Sequence, residues 1–259
     1  MNYWINKSLT LANSEKYLDK LLDVYAISSA EFRKIDEELL SKIKKAYKNR
    51  KNLELLESLM ELKKFPIDNP YISFIRKRKL ILGKSPRLVS NISDFLYRIG
   101  LDTILKLAKM PKSTSRQFGN SFKIWLTTLN IPFLELEEFK NTSKLSFLKG
   151  SDTKFKEFAR EELGINSLDK GLDFILKIKN VYYLGEAKFL TDHGGTQDNQ
   201  FDKAMKVARI NRKNAKGIAI LDGVYWLDSN NERHKILKDF NGFAMSALIL
   251  EEFIYKTKK

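Results

Sequence analysis

Hydrophobic positions recur at spacings of three and four through most of the first half of the chain. Tyr17, Leu18, Leu21, Leu22 and Tyr25 form one stripe, and Phe32, Ile35, Leu39, Ile43 and Tyr47 form another, which predicts helices between Ser14 and Leu62. Ile92, Phe95, Leu96, Ile99, Ile104 and Leu107 continue the pattern, with Gly100 marking a boundary because glycine is a poor helix interior residue. Met110-Pro111 opens a turn, Ser113 or Ser115 can cap the next helix, and Phe118, Phe122 and Trp125 give that helix an apolar side. Pro132 and the mixed stretch from Phe139 to Ser146 end this helical half.

From Lys149 the period changes. GSDTKFKEFAREELG begins with a Ser-Asp cap signal, places Phe155, Phe158, Ala159 and Leu163 on one face, and reads as a helix ending at Gly164. Leu172 to Ile178 and Val181 to Phe189 read as strands, with Lys179-Asn180 placed for a tight hairpin turn. TDHGGTQDNQFDKAMKVA is a polar, Gly-rich loop running into a helix. Lys216 to Trp226 restores a strand, and Phe243 to Tyr255 is predicted as a closing helix. The expected organisation is a mainly helical region, 1–145, that surrounds or extends an α/β unit, 146–259.

Charge and composition narrow the chemistry. The 259 residues contain 47 Lys plus Arg against 32 Asp plus Glu, a formal charge of +15, which points to a phosphate-rich partner without choosing among DNA, RNA and anionic lipid. Lys42 to Lys51, KIKKAYKNRK, holds six basic side chains and no acid; it suits a phosphate backbone, and it equally suits the solvated face of a helix. The basic run Arg76 to Lys79 follows Tyr71, Ile72 and Phe74, whose rings can stack on bases or pack a helix into the core. Arg116, Gln117, Asn120 and Lys123 can read base edges or hold phosphates, or simply solvate a helix. The absence of cysteine excludes thiolate catalysis, disulfides and cysteine-held metals, and the two histidines form no HExxH. The first 17 residues are interrupted by Asn, Lys, Ser and Glu, and no interval reaches the roughly 18–20 apolar residues of a membrane span, so a cytoplasmic protein is expected.

The chemistry concentrates on the two strands. Glu186 and Lys188 lie two apart and project to the same side, with Ala187 turned away. In a hairpin, Asp173 reaches Glu186 across the pair, so two carboxylates converge with a lysine beside them. Hard oxygen ligands of this kind suit Mg²⁺, while the lysine can orient a water and offset negative charge developing on a phosphate. A Glu-Lys pair on the wet face of a strand is the alternative for these two residues taken alone.

With GSDTKFKEFA, KGLDF and GEAKFLTDHGGTQDNQFDKA, the second half resembles the PD-(D/E)XK nucleases, and among them the type II restriction endonucleases. The resemblance is clearest over residues 149–228, and Leu172 stands where the motif's proline would be. It implies an αβββαβ core, a mixed central sheet flanked by helices, with Asp173 and Glu186 as metal-binding acids and Lys188 as the lysine. Glu157 fits the extra acid that some members add from the preceding helix, and it equally fits a solvent-facing acid on that helix. Gln197 and Gln200 are candidates for DNA contact or for positioning Lys188, and His193 is a further DNA-binding candidate; capping, solvation or a structural role would also account for them. The implied activity is Mg²⁺-dependent, sequence-specific hydrolysis of double-stranded DNA, leaving 5′-phosphate and 3′-hydroxyl ends. A homodimer, a helical region devoted to recognition and dimerisation, and a companion DNA methyltransferase are expected with it. The competing readings are a structure- or repair-directed nuclease and a non-catalytic DNA-binding protein.

Overall fold

The computed structural model describes residues 2–26, 32–77, 79–110, 114–169, 171–227 and 230–258; within these, the side chains of 79–81 and 114–117 are not described. The chain forms two compact units, one of residues 1–28 with 113–259 and the other of residues 29–112. This division does not follow the expected boundary at residue 145.

The first two helices, α1 (Tyr3–Ala12) and α2 (Tyr17–Val24), belong to the unit that holds the sheet. Their attachment is polar as well as apolar. The Tyr17 and Tyr25 hydroxyls donate to the Asp222 carboxylate at 3.1 and 2.8 Å, and the Ser246 amide donates to Ser8 Oγ at 3.0 Å.

Residues 29–112 are helical: α3 (Glu37–Lys48), α4 (Asn52–Glu61), α5 (Pro70–Lys77), a short 3₁₀ turn (Lys79–Lys84), α6 (Pro86–Ile99) and α7 (Leu101–Lys109). Asp36 caps α3 through the amides of Glu38 and Leu39. Gly100, at φ +84°, separates α6 from α7 as the spacing predicts. Ile43, Leu55, Leu56, Leu59, Ile75, Ile92, Leu96 and Ile104 form this unit's core. The second predicted stripe is too long at its start, since Phe32 lies outside the helix and is 64% exposed. On α5, Ile72 and Ile75 take the core positions, which leaves Tyr71 and Phe74 56% and 58% exposed.

The chain returns to the first unit with α8 (Thr114–Thr127), β1 (Phe133–Leu134), α9 (Leu136–Asn141), β2 (Ser146–Leu148) and α10 (Asp152–Glu161). The hairpin β3 (Phe174–Ile178) and β4 (Val181–Leu190) comes after them, then α11 (Gly195–Ala208) and β5 (Ala215–Gly223). A 3₁₀ turn (Val224–Trp226) leads to α12 (Glu232–Asp239), β6 (Phe243–Met245) and α13 (Ala247–Lys258). The six strands form one mixed sheet in sequential order, antiparallel across β2-β3-β4 and parallel at β1-β2, β4-β5 and β5-β6.

Three expectations are corrected here. The run from Phe243 is not all helix: Phe243–Met245 pairs in parallel with β5, and the helix starts at Ala247. A short apolar run bounded by a glycine fits either period, and here the open edge of β5 takes it. Sheet formation also begins before residue 146, at Phe133. The resemblance implies three consecutive strands after the opening helix, whereas two lie between α10 and α11, and β2, which precedes α10, completes the antiparallel trio.

Alternation along β4 sorts its side chains as expected. Tyr183 and Ala187 join the larger core with Phe174, Leu176, Ile218 and Ile220, while Leu184 joins Phe139, Phe155, Phe158, Leu172 and Ile175 in a separate cluster. Asp222 lies buried in the first of these groups, where it accepts from Tyr17, Tyr25, Ser246 and the Ala247 amide. Burial raises its pKa to about 6 against the pull of those donors.

A carboxyl whose pKa is raised on folding favours the folded state most when protonated. Its contribution therefore improves as pH falls through 6 toward the unfolded value near 4. The melting temperature of the wild type minus that of Asp222→Asn should rise over this interval, as measured by thermal scans in matched buffers. A pH-independent difference would contradict the assignment.

Candidate active site

Asp173, Glu186 and Lys188 meet at one end of the β3-β4 hairpin. Lys179, in the left-handed region at φ +55°, forms the tight turn with Asn180 and sets the register. Phe174 pairs with Gly185, and the Asp173 amide donates to the Gly185 carbonyl at 2.9 Å, so Asp173 stands opposite Glu186. Gly185 is required by a close approach: a Cβ there would lie 2.0 Å from the Phe174 ring. Gly171 serves similarly one element away, since a Cβ on it would lie 2.1 Å from the Asp152 carbonyl at the start of α10.

The three groups are bonded to one another. Lys188 Nζ lies 2.6 Å from Glu186 Oε1 and 3.4 Å from Asp173 Oδ2. It also donates to the Ala187 carbonyl at 2.9 Å, and the Ala187 amide donates to Asp173 Oδ2 at 2.9 Å. Glu186 is only 8% exposed. A buried, unpaired carboxylate costs several kcal/mol, so the lysine is what lets an ionised glutamate reside here. Burial and the Asp173 charge raise the Glu186 pKa, with Lys188 opposing them. Burial disfavours the Lys188 ammonium, but Asp173 and Glu186 outweigh it and raise its pKa, so the side chain acts as a cation in this arrangement.

Three further lysines adjoin the cluster. Lys123, from α8, bonds the Asp152 carboxylate and lies 3.8 Å from Asp173 Oδ1. Lys203 and Lys206, from α11, line a cleft of about 30 Å³ with Glu186, Asp169, Leu168, Gly171 and Val207. Lys206 is paired with Asp169 at 2.8 Å.

The other candidate residues fare differently. Glu157 is exposed on α10 and its charge acts on Arg160, while the α10 acid whose charge reaches Glu186 is Asp152. Helical rotation explains the difference, because Phe155, Phe158 and Ala159 turn inward and leave Glu157 facing solvent. Asn120 is exposed on α8; the side chains of Arg116 and Gln117 lie outside the described residues. His193 Nδ1 lies 3.1 Å from Asn231 Nδ2, and its ring stands edge-on to Tyr225 at 4.8 Å. The adjacent Asp198 holds the Tyr225 hydroxyl and Arg233. Gln197 and Gln200 are half-buried on α11, and Gln197 Oε1 is buried without a hydrogen-bond partner among the described residues. Asp152, Lys203 and Lys206 were not foreseen. The available sign for Asp152 was the Ser-Asp pair, which reads as a cap and does cap: Ser151 accepts from the Lys154 amide.

Among the described residues, no group of three acids or histidines converges on a single metal position, and no helix is long and apolar enough to cross a membrane. A family model of the Tsp45I type II restriction enzyme matches residues 2–257. The chain belongs to that family. Its members are site-specific deoxyribonucleases, so the protein is an enzyme with DNA as its substrate, and the mixed six-stranded sheet flanked by helices is consistent with a restriction-enzyme fold. No curated protein and no solved structure shows a significant match to the chain.

Proposed function

We propose that this family member hydrolyses double-stranded DNA at a specific sequence with Mg²⁺, using Asp173, Glu186 and Lys188 on a PD-(D/E)XK core. The observation that carries the reading is the convergence of two acids and a lysine on one hairpin, with Lys188 at 2.6 Å from Glu186 and 3.4 Å from Asp173. The donor set suits the ion: carboxylate oxygens are hard ligands, and an acid as buried as Glu186 gains from a nearby cation. Asp173 and Glu186 would hold Mg²⁺, which when bound supplies positive charge to a phosphate oxygen and makes a coordinated water more acidic.

Within the chain, the Ala187 amide fixes the Asp173 carboxylate, and Lys188 has ammonium hydrogens to donate toward the attacked phosphate or the incoming water. Its positive charge offsets the negative charge that gathers on phosphorus-bound oxygens. In-line attack by water then leaves 5′-phosphate and 3′-hydroxyl ends.

The second compact unit, residues 29–112, contains 20 Lys plus Arg against 10 Asp plus Glu, or +10 of the chain's +15. We assign it to holding the DNA backbone, with Lys77 and the exposed Tyr71 and Phe74 of α5 on its contact face. Cleavage of both strands at a palindromic site follows most simply from two centres, which a two-fold homodimer provides. A methyltransferase of the same specificity would protect the host DNA.

Varied plasmid DNA incubated with the purified protein should give discrete fragments with Mg²⁺ and none with EDTA. Fragments that persist in EDTA would contradict the metal requirement. A smear without discrete bands would contradict site specificity.

A further inference from the structure

Asp173 uses its two oxygens differently. Oδ2 accepts the Ala187 amide at 2.9 Å and lies 3.4 Å from Lys188 Nζ, whereas Oδ1 faces the Lys123 ammonium at 3.8 Å. Lys123 also bonds Asp152, so one ammonium bridges α8, the first turn of α10 and the catalytic hairpin. We propose that Lys123 is the resident counter-cation of the Asp152–Asp173 pair in the DNA-free enzyme, and that it must leave Asp173 before Oδ1 can take up a divalent cation. The inference rests on the magnesium reading above and adds a gate to it.

The charges explain why the position is held. Asp152, Asp173 and Glu186 bring three carboxylates to the region, and Lys188 alone would leave two of them uncompensated. Lys123 makes up part of that deficit. A divalent ion arriving on Oδ1 would compensate the acids more strongly, but while Lys123 remains it meets a like charge beside the same oxygen. Metal and ammonium are therefore alternatives.

The side chains of Lys123 and Asp152 are 39% and 57% exposed, so the pair can open without disturbing the core. A DNA phosphate near α8 offers the ammonium another partner. Its transfer there would release Asp173 for metal, coupling metal uptake to DNA arrival, and the coupling acts equally in both directions.

The test uses the full-length protein without DNA and Mn²⁺ as the probe, with affinity read by isothermal titration calorimetry. Lys123→Gln should bind Mn²⁺ about 10-fold more tightly than the wild type, because one nearby positive charge has been removed. Lys123→Arg, which keeps the charge, should match the wild type. Thermal melting checks that each variant is folded.

Unchanged or weaker Mn²⁺ binding by Lys123→Gln would overturn the proposal, and so would tighter binding by Lys123→Arg. If the wild type binds Mn²⁺ and Lys123→Gln binds no better, only the gate fails. If neither protein binds Mn²⁺, the magnesium reading fails and the gate with it.

Discussion

Lys188→Ala is expected to slow single-turnover DNA cleavage by at least about 1,000-fold, while affinity for the cleaved sequence stays within a few-fold of the wild type. The split arises from where the side chain lies. Its ammonium contacts Glu186 and Asp173 at the end of the hairpin, so in the proposed reaction it acts where charge develops rather than on a broad binding surface. Its removal also leaves two acids facing each other with Glu186 buried, which raises the cost of keeping both ionised. Lys188→Arg should rescue little, because a planar guanidinium cannot reproduce a compact ammonium donating to a glutamate, an aspartate and a backbone carbonyl. Single-turnover rates at saturating enzyme, paired with binding measured in EDTA, separate the two effects. Cleavage within 10-fold of the wild type would remove Lys188 from the chemistry, and an equal loss of binding would make it a general DNA contact.

Gly185→Ala should damage both stability and activity. The added methyl would occupy the space of the Phe174 ring, 2.0 Å from its nearest carbon, and Phe174 is almost wholly buried. Neither side can yield cheaply. The ring is packed against Phe122 and Phe147, and the Gly185 backbone carries the register that places Asp173 opposite Glu186. Overpacking of this kind costs about 1–3 kcal/mol, which corresponds to a fall of roughly 2–12 °C in the melting temperature of a chain this long. Cleavage measured well below the new melting temperature should still be impaired, since the strands must shift to admit the methyl. Wild-type melting together with wild-type cleavage would show that the Phe174 contact does not set the site.

The hairpin that carries Asp173, Glu186 and Lys188 was legible in the sequence because its signals are local. LDFILKI and VYYLGEAKF both have strand character, Lys179-Asn180 sits where a two-residue turn fits, and period two then forces Glu186 and Lys188 to one side. What escaped depends on distance along the chain. Tyr17 and Asp222 are 205 positions apart, and their bond helps to place the first helices with the sheet instead of with the helical unit. No periodicity in either segment announces that contact.

The side of α10 that faces the site is not legible for a related reason. Glu157 fits a sequence pattern, but the rotation of the helix against Phe155 and Phe158 turns it to solvent and leaves Asp152 nearest the site. Composition gave the total charge but not its allocation. Only the division into compact units shows that two thirds of the excess lies in residues 29–112. Tyr71 and Phe74 were equally undecided until Ile72 and Ile75 claimed the core side of α5.

The most direct test of the central claim is to map the ends of DNA cut by the wild type in Mg²⁺, with Glu186→Gln run in parallel. Ends at one recurring short sequence, each with a 5′-phosphate and a 3′-hydroxyl, and no cutting by the variant, are what the account predicts. Ends scattered without sequence preference, ends of other chemistry, or undiminished cutting by Glu186→Gln would contradict it.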